Sequence, residues 1–353
     1  MKELFIELLQ ITVGTRDSLS RVPSGLEWQT LYDEGRRQAV DSIILVALER
    51  LPKNQLPPKA LLLQWIGTGE LLKQHNQLLN KACIELQSVF SNNGYRSCIL
   101  KGQGNALLYT NPLWRQYGDI DIWVDGDRDE ILSFLRKNGQ VGHVDIKHCD
   151  WDIFQETPVE VHFIPTWFYN PFINKKLLRW LDNQKSIQFE NESELGFTKP
   201  TIVFNLVYVL IHIYRHLFDE GVGIRQLMDY FYVIQHSTIE ERLEAMGALN
   251  TFRMNRFVGA VMYVMQEVFK LDNDYLMCQP LRKDGRFLLN EILMSGNFGH
   301  NDERNKHHQG LLANGIENVK RNLRFVGRYP QEVCWMPAWK IWHWCWRKKK
   351  GYL

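Results

Sequence analysis

The sequence YGDIDIWV, at residues 117–124, decides the fold of this 353-residue chain. Polar and apolar residues alternate along it, which is typical of a β-strand with one buried face. Asp119 and Asp121 are separated only by Ile120, so both carboxylates point to the same face of that strand. Two acids on one buried face are costly unless a positive group lies between them. The stretch therefore predicts a cation site, although acids on a solvent-facing edge strand would give the same pattern.

Strands and helices are also predicted on both sides of this stretch. Strands are expected at residues 95–100, 140–147, 150–155 and 159–164, and helices at 105–109 and 127–138. This order predicts an α+β core, a mixed sheet of four or five strands with helices on one side. Helical spacing dominates before and after the core. The predicted organisation is an N-terminal helical region at 1–93, a core at 94–198 and a C-terminal helical domain at 199–353.

Two further signals accompany the paired acids. Lys101 and Gly102 follow one predicted strand and precede a short helix, where free backbone N–H groups favour a phosphate. Glu160 has apolar residues on both sides within a later predicted strand, and a third carboxylate would complete an oxygen-rich set suited to Mg²⁺. Each signal is weak alone, since Glu160 by itself is typical of a surface acid. The specific feature is their order along the chain.

The composition excludes some classes of protein. The chain has 42 Lys and Arg residues against 40 Asp and Glu, a net charge of +2, which argues against a dedicated nucleic-acid-coating protein. Six cysteines with no CxxC pair indicate reduced thiols and a cytoplasmic protein. The N-terminus reads as a helix and not as a secretory signal. No run of about 18 apolar residues occurs, so no transmembrane segment is expected.

A family resemblance now becomes visible. The LKG sequence at 100–102, followed by Arg115 and by DID at 119–121, resembles the nucleotidyltransferase superfamily typified by DNA polymerase β. It is most similar to the bacterial group of uncharacterised nucleotidyltransferase family proteins. The resemblance implies a polymerase-β-like core between two helical regions. It also implies that the two acids of DID and Glu160 are the catalytic and metal-binding residues.

The resemblance implies a reaction as well. An NMP group would move from an NTP such as ATP to an acceptor, with release of pyrophosphate, and two Mg²⁺ ions (or Mn²⁺) would serve as cofactors. Glu160 would bind the catalytic ion and could help to deprotonate the acceptor. Lys101, Gly102 and Arg115 would contact phosphate, or Arg115 would brace the turn. The superfamily turn is usually Gly-Gly or Gly-Ser, so the serine that contacts the triphosphate is missing here.

Two more residues are candidate contacts for the nucleotide. His162 shares a strand face with Glu160, so it would contact substrate or serve as a structural histidine beside the site. Arg225 would hold the triphosphate or the acceptor, or form an ordinary i, i+4 ion pair with Asp229. His212 and His216 share a helix face, but no third ligand for zinc is indicated.

The sequence leaves the identity of the acceptor open. A small molecule such as a sugar phosphate is favoured, and nucleic acid is possible but less favoured because of the near-neutral charge. One alternative is a toxin-like nucleotidyltransferase that modifies tRNA or protein. Another is a non-catalytic nucleotide-binding scaffold. The polar segment 297–308 would be either a solvated loop or an acceptor-binding loop.

The C-terminus holds the most unusual composition. Trp335, Trp339, Trp342 and Trp346 fall on one helical face, and the basic run 347–350 follows. Packing into the core is the favoured interpretation. A peripheral contact with a membrane surface, or stacking on single-stranded nucleic acid, would need the same residues.

Overall fold

A five-stranded mixed sheet forms the centre of the computed structural model, which describes residues 1–155, 157–299 and 319–352. The strands are β1 (Ser97–Leu100), β2 (Ile120–Val124), β3 (Gln140–Val144), β4 (His148–Asp152) and β5 (Val159–His162). Their spatial order is β1-β2-β5-β4-β3. All pairs are antiparallel except β2 and β5, which run parallel. The parallel pair matters most, because its register places Asp121 directly opposite Glu160.

Helices account for most of the remaining chain. Those before the sheet are α1 (Lys2–Val13), α2 (Gly25–Arg37), α3 (Leu45–Arg50) and α4 (Lys59–Asn92). Within the core lie α5 (Gly102–Ala106) and α6 (Arg128–Asn138). Those after the sheet include α7 (Pro171–Glu190), α8 (Ile202–Asp219), α9 (Ile224–Gln235), α10 (Ile239–Thr251), α11 (Asn255–Phe269), α12 (Arg282–Ser295), α13 (Pro330–Val333) and α14 (Met336–Lys350).

Helices cover both faces of the sheet. On one face Ile99, Ile122 and Val161 share a buried cluster with residues of α4 and α6. On the other face the Trp123 ring packs against Phe189 of α7 and Phe204 of α8, with ring centroids 4.8 and 5.8 Å apart. The prediction that helices lie on one side is therefore wrong. The apolar pattern shows that a strand face is buried, but it does not show what covers the opposite face.

Successive side chains of β2 point to opposite faces of the sheet. Ile120, Ile122 and Val124 belong to the cluster under α4 and α6. Asp121 and Trp123 point the other way, toward α8. The sequence period thus places Asp121 on the face where the core meets the C-terminal helices.

The α+β fold class is confirmed, with differences at element ends. The predicted strand 117–124 begins only at Ile120, so Asp119 lies just before it. The short helix predicted at 105–109 begins earlier, at Gly102. One hydrophobic cluster joins helices from both ends of the chain, from α1 to α13. The two boundaries between the three predicted regions stay predictions.

Helix α8 is the one helix in the described part of the chain that is long and apolar enough to cross a membrane. Of its residues, 72% are buried inside the protein. The core helix of a folded domain meets the same criteria, so this finding is weak evidence for a membrane span.

Of the four tryptophans predicted on one helical face, Trp339, Trp342 and Trp346 lie on α14 and Trp335 directly precedes it. The members of this tryptophan stripe differ in burial. Trp339 stacks with Trp167 at a centroid distance of 6.0 Å, and the Arg128 guanidinium lies 4.6 Å from the Trp346 ring. Trp335 and Trp342 remain exposed. Packing therefore accounts for only half of the stripe, and the membrane or nucleic-acid contact stays a prediction. Most of the polar segment 297–308 lies outside the described residues.

Candidate functional site

Three carboxylates converge where β2 and β5 begin to pair. Asp119 immediately precedes β2, Asp121 lies within it, and Glu160 lies opposite on β5. One oxygen from each acid lies within 4.8 Å of the others. Asp121 is buried, Glu160 is half-buried and Asp119 is exposed, so the group opens toward solvent on the Asp119 side. We call these three residues the acidic site.

Two cationic side chains approach the buried member of the acidic site. The Lys101 ammonium lies 2.8 Å from Oδ1 of Asp121, and Nε2 of His162 lies 2.8 Å from the same oxygen. Nε2 of His162 is also 3.4 Å from Oε2 of Glu160. The prediction that His162 shares a face with Glu160 is confirmed. Lys101 contacts an acid here, so its predicted contact with phosphate stays a prediction.

The charged groups in and around the acidic site shift one another's pKa values. Burial disfavours the charged form of Asp121, but Lys101 and His162 outweigh it and lower the pKa of Asp121. Burial likewise opposes the low pKa of Glu160, which is set by the hydrogen bond and charge of His162. The neighbouring negative charge of Asp121 is the largest cause that raises the pKa of Asp119 to about 6. The site thus holds more negative charge than its two cationic neighbours offset.

The turn before α5 holds Lys101 in an unusual backbone conformation. Lys101 has φ 42° and ψ −134°, and Gly102 has φ 30°. A residue other than glycine is strained at positive φ, and such strain persists only where surrounding contacts impose it. The Nζ contact with Asp121 is one such contact. Helix α5 spans five residues, and the predicted phosphate contact of Gly102 also stays a prediction.

Arg115 forms an ion pair with a residue of the C-terminal helices. Its Nε lies 2.7 Å from Oδ1 of Asp229, and its Nη2 lies 2.8 Å from Oδ2. The Tyr109 hydroxyl donates to Oδ1 of Asp229 at 2.7 Å. All three groups are buried, so this bidentate pair braces the segment before β2 against α9. The structure shows Arg115 paired with Asp229, and the two roles predicted for it, contact with phosphate or bracing of the turn, stay predictions.

Arg225 lies beside the acidic site and holds the segment that leads into it. Its Nη1 donates to the carbonyl oxygens of Tyr117 at 3.1 Å and Gln116 at 3.5 Å. The Asp229 carboxylate is bonded by Arg115 and Tyr109, which differs from the i, i+4 pair considered from the sequence. Burial lowers the pKa of Arg225, and the nearby Arg115 lowers it further.

The helical histidine pair lies close to the same site. Nε2 of His216 is 2.9 Å from Nε2 of His212, and burial lowers the pKa of His212 well below its usual value. His212 lines a small cavity of about 40 Å³ together with Asp121 and Arg115. In the described residues neither histidine belongs to a group of three potential metal ligands.

His148 is a neighbour of the acidic site that sequence reasoning missed. It lies on β4 opposite His162, and its Nδ1 is 3.5 Å from Oε2 of Glu160. The sequence predicted a break between two strands at this position, and the register of β4 against β5 cannot be read from local pattern. Only the alternation of residues 148–152 offered a signal.

A larger cavity opens beside Asp119. Its volume is about 540 Å³, within the range of small-molecule sites. Residues from α2, α4, α9 and the segment before β2 line it, among them Arg36, Thr68, Tyr117, Asp119 and Arg225. The Tyr117 ring stacks on His75 with centroids 3.9 Å apart. Arg36 and Thr68 were not among the predicted site residues, since nothing in their local sequence marks them.

Comparison with known proteins identifies the family of this chain. A family model described as an uncharacterised nucleotidyltransferase matches residues 24–270. The chain belongs to this family. The match includes the whole sheet, the acidic site, the Arg115–Asp229 pair and Arg225. Nucleotidyl transfer is therefore the reaction class that the family supports, and the predicted resemblance is confirmed.

Other comparisons add little to the family. The solved structure of the Thermotoga maritima CCA-adding enzyme complexed with tRNA_CCA is 11% identical, with a TM-score of 0.21. The match covers 72% of this nucleotidyltransferase and 77% of that chain. A likeness at this score carries no argument about substrate. No curated protein matches the chain.

Proposed function

We propose that this protein transfers an NMP group from an NTP to a small-molecule acceptor in a Mg²⁺-dependent reaction that releases pyrophosphate. The observation that carries the proposal is the convergence of Asp119, Asp121 and Glu160 within 4.8 Å in a member of the nucleotidyltransferase family. Carboxylate oxygens are the ligands that Mg²⁺ prefers. The raised pKa of Asp119 supports the fit, because it reflects an excess of negative charge that a divalent cation would offset.

The three acids would hold one or two Mg²⁺ ions. Bound ions supply neutralisation of the triphosphate and the departing pyrophosphate, and they make an acceptor oxygen more nucleophilic. His162 keeps Asp121 and Glu160 oriented through its two contacts. Lys101 already lies 2.8 Å from Asp121, so it is placed to shift onto a phosphate oxygen when a divalent cation takes over Asp121. Glu160 would help to deprotonate the acceptor, as the family resemblance implies.

The large cavity favours a small acceptor with negative charge. Its volume of about 540 Å³ suits a small molecule, and it adjoins Asp119 directly. Arg36 and Arg225 line it alongside Asp41 and Asp119, and arginine binds phosphate and carboxylate groups well. A sugar phosphate has this size and charge. We therefore place the acceptor in this cavity, in a protein that acts in the cytoplasm with ATP among its candidate donors.

The decisive experiment is a labelling screen. Each of the four α-³²P-labelled NTPs would be incubated with cell extract, purified protein and Mg²⁺ or Mn²⁺. We expect label in a small-molecule fraction, with pyrophosphate released and no label with the Asp119→Ala variant. Asp125→Ala is the matched control, because Asp125 follows the same strand at its other end and pairs with Arg96 and Lys185.

Other outcomes would point elsewhere. Label in the tRNA or protein fraction would replace the small-molecule acceptor with a toxin-like activity. Binding of Mg²⁺ and NTP without transfer would indicate a nucleotide-binding scaffold. If the wild type and Asp119→Ala gave the same labelling, the acidic site would not be the reaction centre. Release of orthophosphate in place of pyrophosphate would indicate hydrolysis.

A further inference from the structure

A second group of metal-ligating atoms lies on the β4 side of Glu160. It consists of His148, Glu160 and His162, with one potential ligand atom of each within 4.8 Å of the others. Nδ1 of His148 is 3.5 Å and Nε2 of His162 is 3.4 Å from Oε2 of Glu160. We call these three residues the histidine site. Asp119 is not part of it, and His148 is not part of the acidic site.

The spacing of these atoms suits a tetrahedral metal ion. Zinc binds histidine nitrogen at about 2.0–2.1 Å and carboxylate oxygen at about 2.0–2.2 Å, so two such ligands at a tetrahedral angle lie about 3.3–3.5 Å apart. The two distances to Oε2 of Glu160 fall in this range. The 3.5 Å contact of His148 is longer than an ordinary hydrogen bond, and the 3.4 Å contact of His162 is a long hydrogen bond. The atoms are therefore placed as neighbouring ligands of one ion.

His148 supplies an independent indication of a bound ion. His148 is a buried residue, and its Nδ1 has no hydrogen-bond partner among the described residues. A buried polar atom without a partner is uncommon and calls for an explanation such as a bound ion. The pairing of β4 with β5 aims this nitrogen at Glu160, because His148 lies opposite His162 in the register. The backbone thus fixes all three ligands on adjacent strands.

We propose that the histidine site binds a transition-metal ion of the Zn²⁺ class, with three protein ligands and a fourth position open to water or a small ligand. Two imidazoles and one carboxylate suit Zn²⁺, Co²⁺ or Ni²⁺ better than Mg²⁺, which prefers oxygen. Binding would take Nε2 of His162 from Asp121, which keeps its contact with Lys101 at 2.8 Å. No buried carboxylate is left unpaired by the exchange.

The histidine site would also regulate the acidic site, and this consequence rests on the proposed function. Both sites need Glu160, so an ion held between His148 and Glu160 withdraws one carboxylate from the Mg²⁺ set. We expect Zn²⁺ to inhibit nucleotidyl transfer in competition with Mg²⁺. Metal binding at the histidine site itself does not depend on any nucleotide.

The test uses Co²⁺ as a spectroscopic probe on metal-free, untagged full-length protein. Four-coordinate Co²⁺ absorbs visible light far more strongly than six-coordinate Co²⁺, so the spectrum reports the geometry. We expect one strongly absorbing Co²⁺ per chain, displaced by stoichiometric Zn²⁺ but by Mg²⁺ only at a large excess, because the two sites share Glu160. His148→Gln should weaken Co²⁺ binding at least about a hundredfold, because each ligand of a zinc-type site contributes several kcal/mol.

Controls separate this proposal from structural damage and from the proposed function. His236→Gln is the matched control, since His236 bonds only to the Tyr232 carbonyl in the described structure. Asp119→Ala should abolish transfer yet keep the Co²⁺ spectrum. Should His148→Gln fail to fold by circular dichroism, X-ray absorption of the zinc-loaded wild type decides, with two imidazole ligands expected. A weak six-coordinate spectrum, equal binding by His148→Gln, or zinc without imidazole ligands would overturn the proposal.

Discussion

Two charged groups flank the same small cavity, and they balance their charges differently. In the Arg115–Asp229 pair one acid meets one base, and the Tyr109 hydroxyl adds a further hydrogen bond. In the acidic site three carboxylates share one lysine and one histidine. Asp121 and Asp229 are both buried, so burial does not distinguish the two groups.

The balance of charge distinguishes a structural ion pair from a group of acids that can bind cations. A matched, bidentate pair stabilises the charges it contains and needs nothing further. A group with more acids than bases carries unbalanced charge, which here raises the pKa of Asp119. The Arg115–Asp229 pair therefore joins α9 to the core, whereas the acidic site is suited to divalent cations.

The largest effect is expected from breaking the matched pair. Asp229→Ala leaves the buried guanidinium of Arg115 without its carboxylate. Breaking a buried ion pair from one side costs about 3–5 kcal/mol, so we expect that loss in the free energy of unfolding by urea. Asp182→Ala, at an acid exposed on α7, should change it by less than about 0.5 kcal/mol. A loss below about 1 kcal/mol for Asp229→Ala would show that the pair does not act as a brace.

The second largest effect is expected in the acidic site, on the rate of transfer. Asp121→Asn keeps the size of the side chain but removes the charge that Lys101 and His162 approach. Loss of one metal ligand should lower the initial rate of label transfer by about a hundredfold or more, which is roughly 3 kcal/mol of activation free energy. Asp125→Asn, directly after the same strand, should leave the rate within about twofold. Near-wild-type transfer by Asp121→Asn would place the chemistry elsewhere.

A smaller effect tests whether Lys101 competes with a divalent cation. Lys101→Met removes the ammonium 2.8 Å from Asp121 and leaves a side chain of similar length. The site then becomes more negative, so Mg²⁺ affinity without nucleotide should rise by about tenfold, roughly 1.4 kcal/mol. Titration calorimetry measures this change, with the exposed Lys73→Met as control. Weaker Mg²⁺ binding would mean that Lys101 positions Asp121 and does not compete with the metal.

The smallest effect probes the extra hydrogen bond of the matched pair. Tyr109→Phe removes the donor to Asp229 but leaves both contacts with Arg115 in place. One buried hydrogen bond contributes about 1 kcal/mol, so the free energy of unfolding should fall by that amount. A loss as large as that of Asp229→Ala would instead assign Tyr109 an equal share in the brace.

The sequence predicted the acidic site better than its surroundings, for a physical reason. Asp119, Asp121 and Glu160 lie in short alternating stretches, and alternation is a local property that the sequence displays. The partner of Arg115 is 114 residues away along the chain, so local spacing could not reveal that Arg115 pairs with Asp229. His148 reaches Glu160 only through the register of two strands.

The helical flanks show the same limit. The spacing of tryptophans predicted α14, but their burial depends on partners such as Trp167 and Arg128, which lie more than 150 residues earlier in the chain. The large cavity likewise combines Arg36 and Thr68, from helices before the sheet, with Arg225, from a helix after it. Such contacts follow from the packing of whole elements and not from any local pattern.

The position of α14 has a consequence for how separate molecules meet. β3 is the outer strand on its side of the sheet, and α14 lies beside it through contacts of Arg347 with His143 and of His343 with Asp145. An outer strand that nothing shields can pair with the same strand of another molecule. A chain shortened before Met336 should therefore self-associate through β3, and the C-terminal helix would act as a guard against aggregation as well as a part of the fold.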